Sequence, residues 1–190
     1  MERCGWANKG PLEIKYHDEQ WGVPVHDDRL LFEMLILEGA QAGLSWSTIL
    51  KKREAYLGAF DNFDAEKIAQ YSDLKINELM NNAAIVRNKL KINAAITNAK
   101  VFLEIQKEYG SFDRYIWSFV DAHPINNKWA VLSDVPVSSN ESDEMSKSLK
   151  RKGFKFIGTT ICYAYMQAVG MVNDHLISCF RHSEVEKLQN

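Results

Sequence analysis

Two thiols and two imidazoles near opposite ends of the chain have the chemistry to bind one metal ion. Cys4 and His17 lie near the N-terminus, and His175 and Cys179 lie near the C-terminus. The second pair has a spacing that a helix would place on one face. Two cysteines and two histidines suit a tetrahedral zinc ion, with no ligand position left for water. The pattern therefore indicates either one structural zinc that joins the two ends, or buried thiols and hydrogen-bonded histidines.

A carboxylate among aromatic residues forms a second candidate site. Glu38 interrupts an apolar helical pattern, and Tyr16, Trp46 and Trp6 lie in the same third of the chain. Aromatic rings stack on flat cations, and a carboxylate accepts hydrogen bonds from their N–H groups. The combination suits a ligand such as a methylated adenine. The alternative is that the tryptophans fill the core and that Glu38 is paired or faces solvent.

A third pattern is a basic helix, a glycine-bounded turn and a second helix between about residues 147 and 170. Glycines let a phosphate approach the backbone, and the free N–H groups of the following helix favour an anion. Such contacts position DNA without reading its sequence. The candidate contact residues are Gly153, Lys155, Gly158, Thr159 and Thr160. The alternative is an ordinary corner between two helices with a solvated basic face.

The bulk composition limits the class of protein. The net charge of −2 argues against a general polyanion binder. Three widely spaced cysteines suit a reducing compartment better than a disulfide framework. No apolar run reaches membrane-spanning length, and the N-terminus lacks the apolar core of a signal peptide, so we expect a cytoplasmic protein.

The elements that must position these residues are predicted to be helices, so the expected fold class is all-α. We expect one domain over residues 1–190 with two helical lobes, a long loop over about 123–139 and a loose tail over 181–190. Ser45 and Asp64 are expected to cap helices and Gly110 to end one. Helices are expected from about 28 to 40, from 45 through 56, from 64, from 73 or 75 to 80, from 85 or 87 to 109, from 111 through 119, from 143 to 153 and from 161 to 169.

Seven short segments between Met1 and Cys179 carry a specific pattern. They are Met1–Trp6, Tyr16–Asp18, Trp21–Pro24, Leu37–Gly39, Gln41–Trp46, Gly153–Cys162 and Val172–His175. In this order they closely resemble the 3-methyladenine-DNA glycosylase I family. The resemblance implies a helix-hairpin-helix enzyme of base excision repair that contains one structural zinc.

By position, the resemblance assigns the zinc ligands to Cys4, His17, His175 and Cys179, and base recognition to Glu38. It implies that Tyr16, Trp46 and Trp6 form the pocket and that the hairpin binds double-stranded alkylated DNA. It also implies release of 3-methyladenine, and a monomer is expected for a chain of this size and class. Residue 13 departs from the pattern, because it is Glu13 here and tyrosine in some members.

The expected mechanism begins with extrusion of the damaged base from the helix, since its glycosidic bond is inaccessible inside a duplex. Leu44 is either an apolar wedge that fills the vacated space or a core residue at a helix corner. N3-methyladenine is already cationic, so it needs no general acid to leave. We interpret Asp174 as a residue that orients its neighbour or caps a helix. No lysine matches a β-elimination nucleophile, so the expected product is an abasic site.

Three other classes of protein are considered from the residues. A non-catalytic module would bind DNA through the same hairpin. A cysteine-dependent hydrolase would use Cys162 with His123 or His175. A metallohydrolase is disfavoured because four protein ligands would leave the metal no place for water.

Overall fold

Helix caps and left-handed turns define the boundaries of the elements in the computed structural model, which describes residues 1–188. The α-helices are α1 (Pro11–Glu19), α2 (Asp28–Gln41), α3 (Trp46–Ala59), α4 (Ala65–Ile68), α5 (Asp73–Asn81), α6 (Lys89–Tyr109), α7 (Phe112–Trp117), α8 (Asn140–Lys152), α9 (Thr159–Ala168) and α10 (Phe180–Leu188). Short 3-10 helices cover Gly5–Lys9, Asp61–Phe63, Ser118–Val120 and Leu132–Asp134. Two strands, β1 (Ile125–Asn126) and β2 (Val172–Asn173), pair in parallel.

Local hydrogen bonds explain where the helices begin and end. The side chains of Ser45, Asp64 and Ser111 accept hydrogen bonds from the first backbone N–H groups of α3, α4 and α7. Gly110 ends α6 in the left-handed conformation, with φ +89°. These caps confirm the predicted starts at residues 45, 64 and 111 and the predicted stop after residue 109.

Helix α2 is the central element of the fold. It packs against α3, α6, α7 and α9, and every residue from Leu31 to Ala40 is buried. Both glutamates of this stretch are therefore withdrawn from water. Glu33 forms ion pairs with Arg53 and Arg29, at 2.7 and 3.3 Å. Among residues 1–188, no ion pair or hydrogen bond offsets the burial of Glu38.

Gly170 fixes the contact between the segment after α1 and the end of α9. It has φ +74°, and a Cβ there would lie 2.3 Å from the backbone carbon of Val23. Only glycine permits this approach. The contact holds the segment after α1 against the end of α9.

The mostly helical fold is confirmed, with differences in detail. Helix α1 was not predicted, and α8 and α9 begin earlier than expected, at Asn140 and Thr159. The predicted long loop contains β1. The tail over residues 181–190 was expected to be loose. Helix α10 instead extends to Leu188 and buries His182 and Val185. The last two residues of that prediction, 189–190, lie outside the described residues. Within residues 1–188, no helix combines the length and apolarity that crossing a membrane requires.

Candidate active site and metal centre

A cavity of about 400 Å³ opens between α1, α2, the start of α3 and α9. The predicted residues Tyr16, Glu38, Trp46 and Trp6 all line it. They come from four different elements, so only the folded chain brings them together. Further lining residues that the sequence did not indicate are Lys9, Gln41, Ser45, Ser47, Leu132, Val135, Ala164 and Gln167.

Glu38 is the chemically distinctive residue of the cavity. Its side chain is 4% exposed, and within residues 1–188 it forms no hydrogen bond or ion pair. Burial raises the pKa of its carboxyl group to about 8. An unpartnered carboxyl group at the wall of a cavity is costly to the fold, so its place is best explained by a ligand.

Aromatic rings surround this carboxyl group. The Tyr16 and Trp46 ring centroids are 5.3 Å apart, and those of Trp6 and Trp21 are 5.0 Å apart. The Trp46 indole N–H has no acceptor within the described residues. Burial raises the pKa of the Tyr16 phenol, so this group stays protonated and can donate. The walls therefore offer flat apolar faces, together with the indole N–H of Trp46 and the phenol of Tyr16 as donors.

Glu13 brings a second carboxylate to the same cavity. It lies on α1 and is 6% exposed. A hydrogen bond with Ser47 is the main cause that lowers its pKa, and Lys51 and Lys9 add attraction. Glu13 is therefore ionised at neutral pH, whereas burial favours the protonated form of Glu38. The cavity consequently favours a cation at one wall and offers a hydrogen-bonding carboxyl group at another.

Asp174 also faces the cavity, but its oxygens are occupied. They accept hydrogen bonds from Asn127 and Trp129, both at 2.7 Å, and from Tyr163 and Gln167, both at 2.8 Å. These bonds tie the loop between β1 and α8 to helix α9. The carboxylate thus holds the wall of the cavity and has no acceptor capacity left for activating water. The expectation that it orients its neighbour His175 or caps a helix is wrong, because the His175 ring is held by the Trp21 carbonyl oxygen instead.

The four candidate metal ligands meet behind the aromatic wall. All are buried, and their ligand atoms lie within 4.8 Å of one another. Cys179 Sγ is 3.4 Å from His17 Nε2 and 3.7 Å from His175 Nδ1, and Cys4 Sγ is 3.7 Å from His175 Nδ1. Zinc bonds of about 2.3 Å to sulfur and about 2.1 Å to nitrogen place tetrahedral neighbours about 3.6 Å apart. The observed spacing therefore fits a bound metal ion.

Both imidazoles are oriented for this purpose. His17 Nδ1 lies 2.8 Å from Asp18, whose carboxylate is held by Arg3, and His175 Nε2 lies 2.9 Å from the Trp21 carbonyl oxygen. Each outer nitrogen can donate to its partner, which leaves the other nitrogen free to bind a metal. Without a metal, a hydrogen bond between the thiols lowers the pKa of Cys179 and raises that of Cys4.

The four candidate metal ligands lie directly behind two walls of the cavity. Cys4 precedes the 3-10 helix that carries Trp6, and His17 follows Tyr16 in α1. The Trp6 ring centroid is 5.4 Å from that of His17, and the Trp21 centroid is 4.6 Å from that of His175. A metal ion would thus fix two walls of the cavity from behind.

The predicted hairpin is the pair α8 and α9, which pack against each other. The turn between them uses left-handed residues at Gly153 and Phe156, with φ +106° and +53°. Lys155 and Thr160 are exposed, and no side chain caps α9 at Gly158. The Thr159 hydroxyl is different, because it hydrogen-bonds to Asp143 and Ser142 inside the hairpin. It therefore supports the turn and is not free in this structure.

Leu44 lies at the surface. It is 41% exposed in the turn between α2 and α3, where Gly43 adopts φ +77°. The interpretation of Leu44 as a core residue is therefore wrong. Its neighbours Ser45 and Trp46 line the cavity, so the leucine projects beside the cavity mouth.

Cys162 does not have the environment of a catalytic nucleophile. It is 1% exposed, and burial raises the pKa of its thiol to about 12. A nucleophilic cysteine requires the thiolate at neutral pH. The geometry thus disfavours the cysteine hydrolase.

Comparison with known families identifies the class. The model of the methyladenine glycosylase family matches residues 6–182. The chain belongs to this family, whose enzymes hydrolyse N-glycosyl bonds.

Individual relatives are similar over nearly their whole length. DNA-3-methyladenine glycosylase 1 of Escherichia coli K12 is 49% identical over 179 residues, which cover 94% of this chain and 96% of the relative. A crystal structure of 3-methyladenine DNA glycosylase I superposes with TM-score 0.92 and 49% identity, covering 94% of this chain and 98% of the other. The Staphylococcus aureus enzyme, solved to explain 3-methyladenine recognition, has TM-score 0.91 and 39% identity, with 95% and 96% covered.

Proposed function

We propose that the protein is a monofunctional DNA glycosylase that excises N3-methyladenine from alkylated duplex DNA and leaves an abasic site. The observation that carries the proposal is Glu38, a buried and unpartnered carboxyl group among aromatic rings. A methylated purine supplies the missing hydrogen-bond donors and the flat face for stacking. The relatives, which act on or recognise 3-methyladenine, support the same ligand.

DNA binding is assigned to α8, the following turn and α9 as a helix-hairpin-helix unit. The uncapped N–H groups at the start of α9 and the exposed Lys155 would contact phosphates of the backbone. Gly153 and Gly158 allow the backbone to approach closely. Leu44 would enter the helix stack when the damaged nucleotide leaves it, as apolar wedges do in other DNA-bending proteins.

The chemical step follows from the charge of the damaged base. While attached to deoxyribose, N3-methyladenine is a cation, and breaking its bond to C1′ returns both bonding electrons to the base and makes it neutral. Water adds to C1′ and loses a proton to solvent. Glu38 accepts hydrogen bonds from the base, and Tyr16 and Trp46 stack against it, each contact worth about 1–3 kcal/mol. Ordinary adenine lacks the cation and keeps the stronger glycosidic bond.

The metal is proposed to be a single structural zinc ion held by Cys4, His17, His175 and Cys179. When bound, it supplies no chemistry to the reaction, because four protein ligands leave no position for water or substrate. Its role would be to fasten the N-terminal segment and α1 to the C-terminal segment. The residues of the chain itself perform the recognition.

The test is to incubate the purified protein with methylated duplex DNA and to identify the released bases by chromatography and mass spectrometry. We expect free 3-methyladenine and an intact strand that breaks only on alkaline treatment of the abasic site. A Glu38→Gln variant serves as the matched control, with the same shape and reduced release. Binding to DNA without release of any base would favour the non-catalytic module and overturn the proposal.

The monofunctional assignment needs a separate test because Lys9 lies at the cavity wall and is exposed. A bifunctional enzyme would form a Schiff base between a lysine and C1′ and would cleave the strand. We expect no covalent complex when the reaction is run with sodium borohydride. A trapped complex that disappears in Lys9→Met would show lyase chemistry and contradict the assignment.

A further inference from the structure

Side chains of helix α6 contact both the hairpin formed by α8 and α9 and the turn after α2 that carries Leu44. We call this turn, residues 42–45, the wedge turn. Two side chains of α6, Lys91 and Asn98, are seven residues apart and therefore lie on one face, two helical turns from each other. Each binds the backbone of a different element that approaches DNA. We infer that Lys91 and Asn98 are positioning residues that set the distance between the phosphate-binding hairpin and the wedge turn. The inference rests on the proposed function.

Lys91 holds the wedge turn. Its ammonium group donates hydrogen bonds of 2.7 Å to the carbonyl oxygens of both Ala40 and Ala42. These carbonyls stand at the C-terminal end of α2, where a cation is favoured by the helix dipole. Within residues 1–188, no other side chain from outside the 40–45 segment hydrogen-bonds to the backbone of this segment. Lys91 therefore fixes the end of α2 and the start of the turn that carries Leu44.

Asn98 holds the tip of the hairpin and is only 4% exposed. Its side-chain oxygen accepts a hydrogen bond from the backbone N–H of Lys155 at 2.8 Å. Its side-chain nitrogen donates a hydrogen bond to the carbonyl oxygen of the same residue at 3.1 Å. The next residue, Phe156, packs on α2, because a Cβ added to Gly39 would lie 3.4 Å from the Phe156 Cβ. The hairpin tip is thus clamped beside Glu38.

The two clamps have a mechanical consequence. DNA bound at the hairpin can place its damaged nucleotide in the cavity only if the hairpin lies at a fixed distance from the cavity and from Leu44. A displacement of the wedge turn by about 1 Å would leave the cavity able to bind a free base, yet it can slow the reaction of a bound duplex about 100-fold. Loss of Lys91 should therefore separate excision from base binding.

The experiment compares Lys91→Met, Lys91→Arg and Asn98→Ala with the parent protein. We expect Lys91→Met and Asn98→Ala to lower single-turnover excision from methylated duplex DNA by roughly tenfold to 100-fold. Affinity for free 3-methyladenine, measured by tryptophan fluorescence, should change less than about threefold, and Lys91→Arg should restore most of the rate because it keeps donors for both carbonyls.

Lys52→Met is the matched control. The Lys52 ammonium also donates to two carbonyl oxygens, those of Ala83 and Ala84 at 3.1 Å, but on the segment before α6. It should change thermal stability without changing excision. The inference is overturned if Lys91→Met excises at the parent rate, or if its affinity for the free base falls in parallel with excision. Failure of the parent protein to release any base would instead refute the proposed function, and this inference with it.

Discussion

Replacing Glu38 with glutamine should make the protein more stable at alkaline pH, although it removes a residue assigned to the site. The carboxyl group is 4% exposed and has no partner within the described residues. Burial raises its pKa from 4.5 to about 8, so the folded protein retains a proton that the unfolded chain releases. Stability from this group is fully present below pH 4.5 and is lost as the pH rises through 8.

The size of the effect follows from the two pKa values. Each pKa unit corresponds to about 1.4 kcal/mol, so the ionised carboxylate costs the folded state on the order of 5 kcal/mol at pH 9. Glutamine does not ionise in this range. Between pH 5 and pH 9, the parent should therefore lose several kcal/mol of unfolding free energy relative to Glu38→Gln.

Urea denaturation of both proteins at pH 5, 7 and 9, at matched metal content, measures this difference. The metal ligands titrate alike in both proteins, so their contribution cancels. Glu33→Gln is the control, because Glu33 is equally buried but paired with Arg53. It should destabilise the protein at neutral pH, since it leaves a half-buried arginine without its partner. A difference between Glu38→Gln and the parent that does not vary with pH would refute the reasoning.

Three further predictions follow from the metal centre, the wedge and the hairpin. Cys179→Ser should bind less than one zinc per chain by elemental analysis and melt roughly 10 °C lower; full metal content would contradict the site. Leu44→Ala should reduce excision from duplex DNA about tenfold and leave free-base affinity unchanged, and an unaltered rate would remove it from the reaction. Lys155→Ala should weaken DNA binding and lower the salt-dependence slope by about one; the same slope as the parent would place the DNA surface elsewhere.

The helices that could be predicted from the sequence are those with a local signal. Apolar periodicity predicted α2, α3 and α6, and their caps fixed several of the ends. Helix α1 has no such pattern, because the side chains that it buries are Glu13, Tyr16 and His17. Its inner face is made of site residues, so hydrophobic periodicity does not reveal it. The pairing of β1 with β2 joins residues far apart in the chain, and no local pattern predicts it.

The candidate site likewise combines residues that the sequence indicates with residues that only the folded chain brings together. Residue chemistry indicated the candidate metal ligands and Glu38, because unusual residue types stand out in a sequence. The remaining walls come from elements that meet only in the folded chain. Leu132 and Val135 reach the cavity from a loop, which is held in place by the hydrogen bonds to Asp174. The burial of Glu38 on all sides also depends on the packing of four helices around α2.

The most direct test of the account is a titration of the protein with free 3-methyladenine. Binding is measured by the quenching of fluorescence from the tryptophans that line the cavity. The central claim is that the lone carboxyl group of Glu38 recognises the base. Glutamine offers one acceptor oxygen instead of two, and leaving a buried donor of the base unsatisfied costs about 1–3 kcal/mol, so Glu38→Gln should bind the base roughly 5-fold to 150-fold more weakly than the parent at neutral pH. Equal affinities in two folded, metal-loaded proteins would contradict the claim.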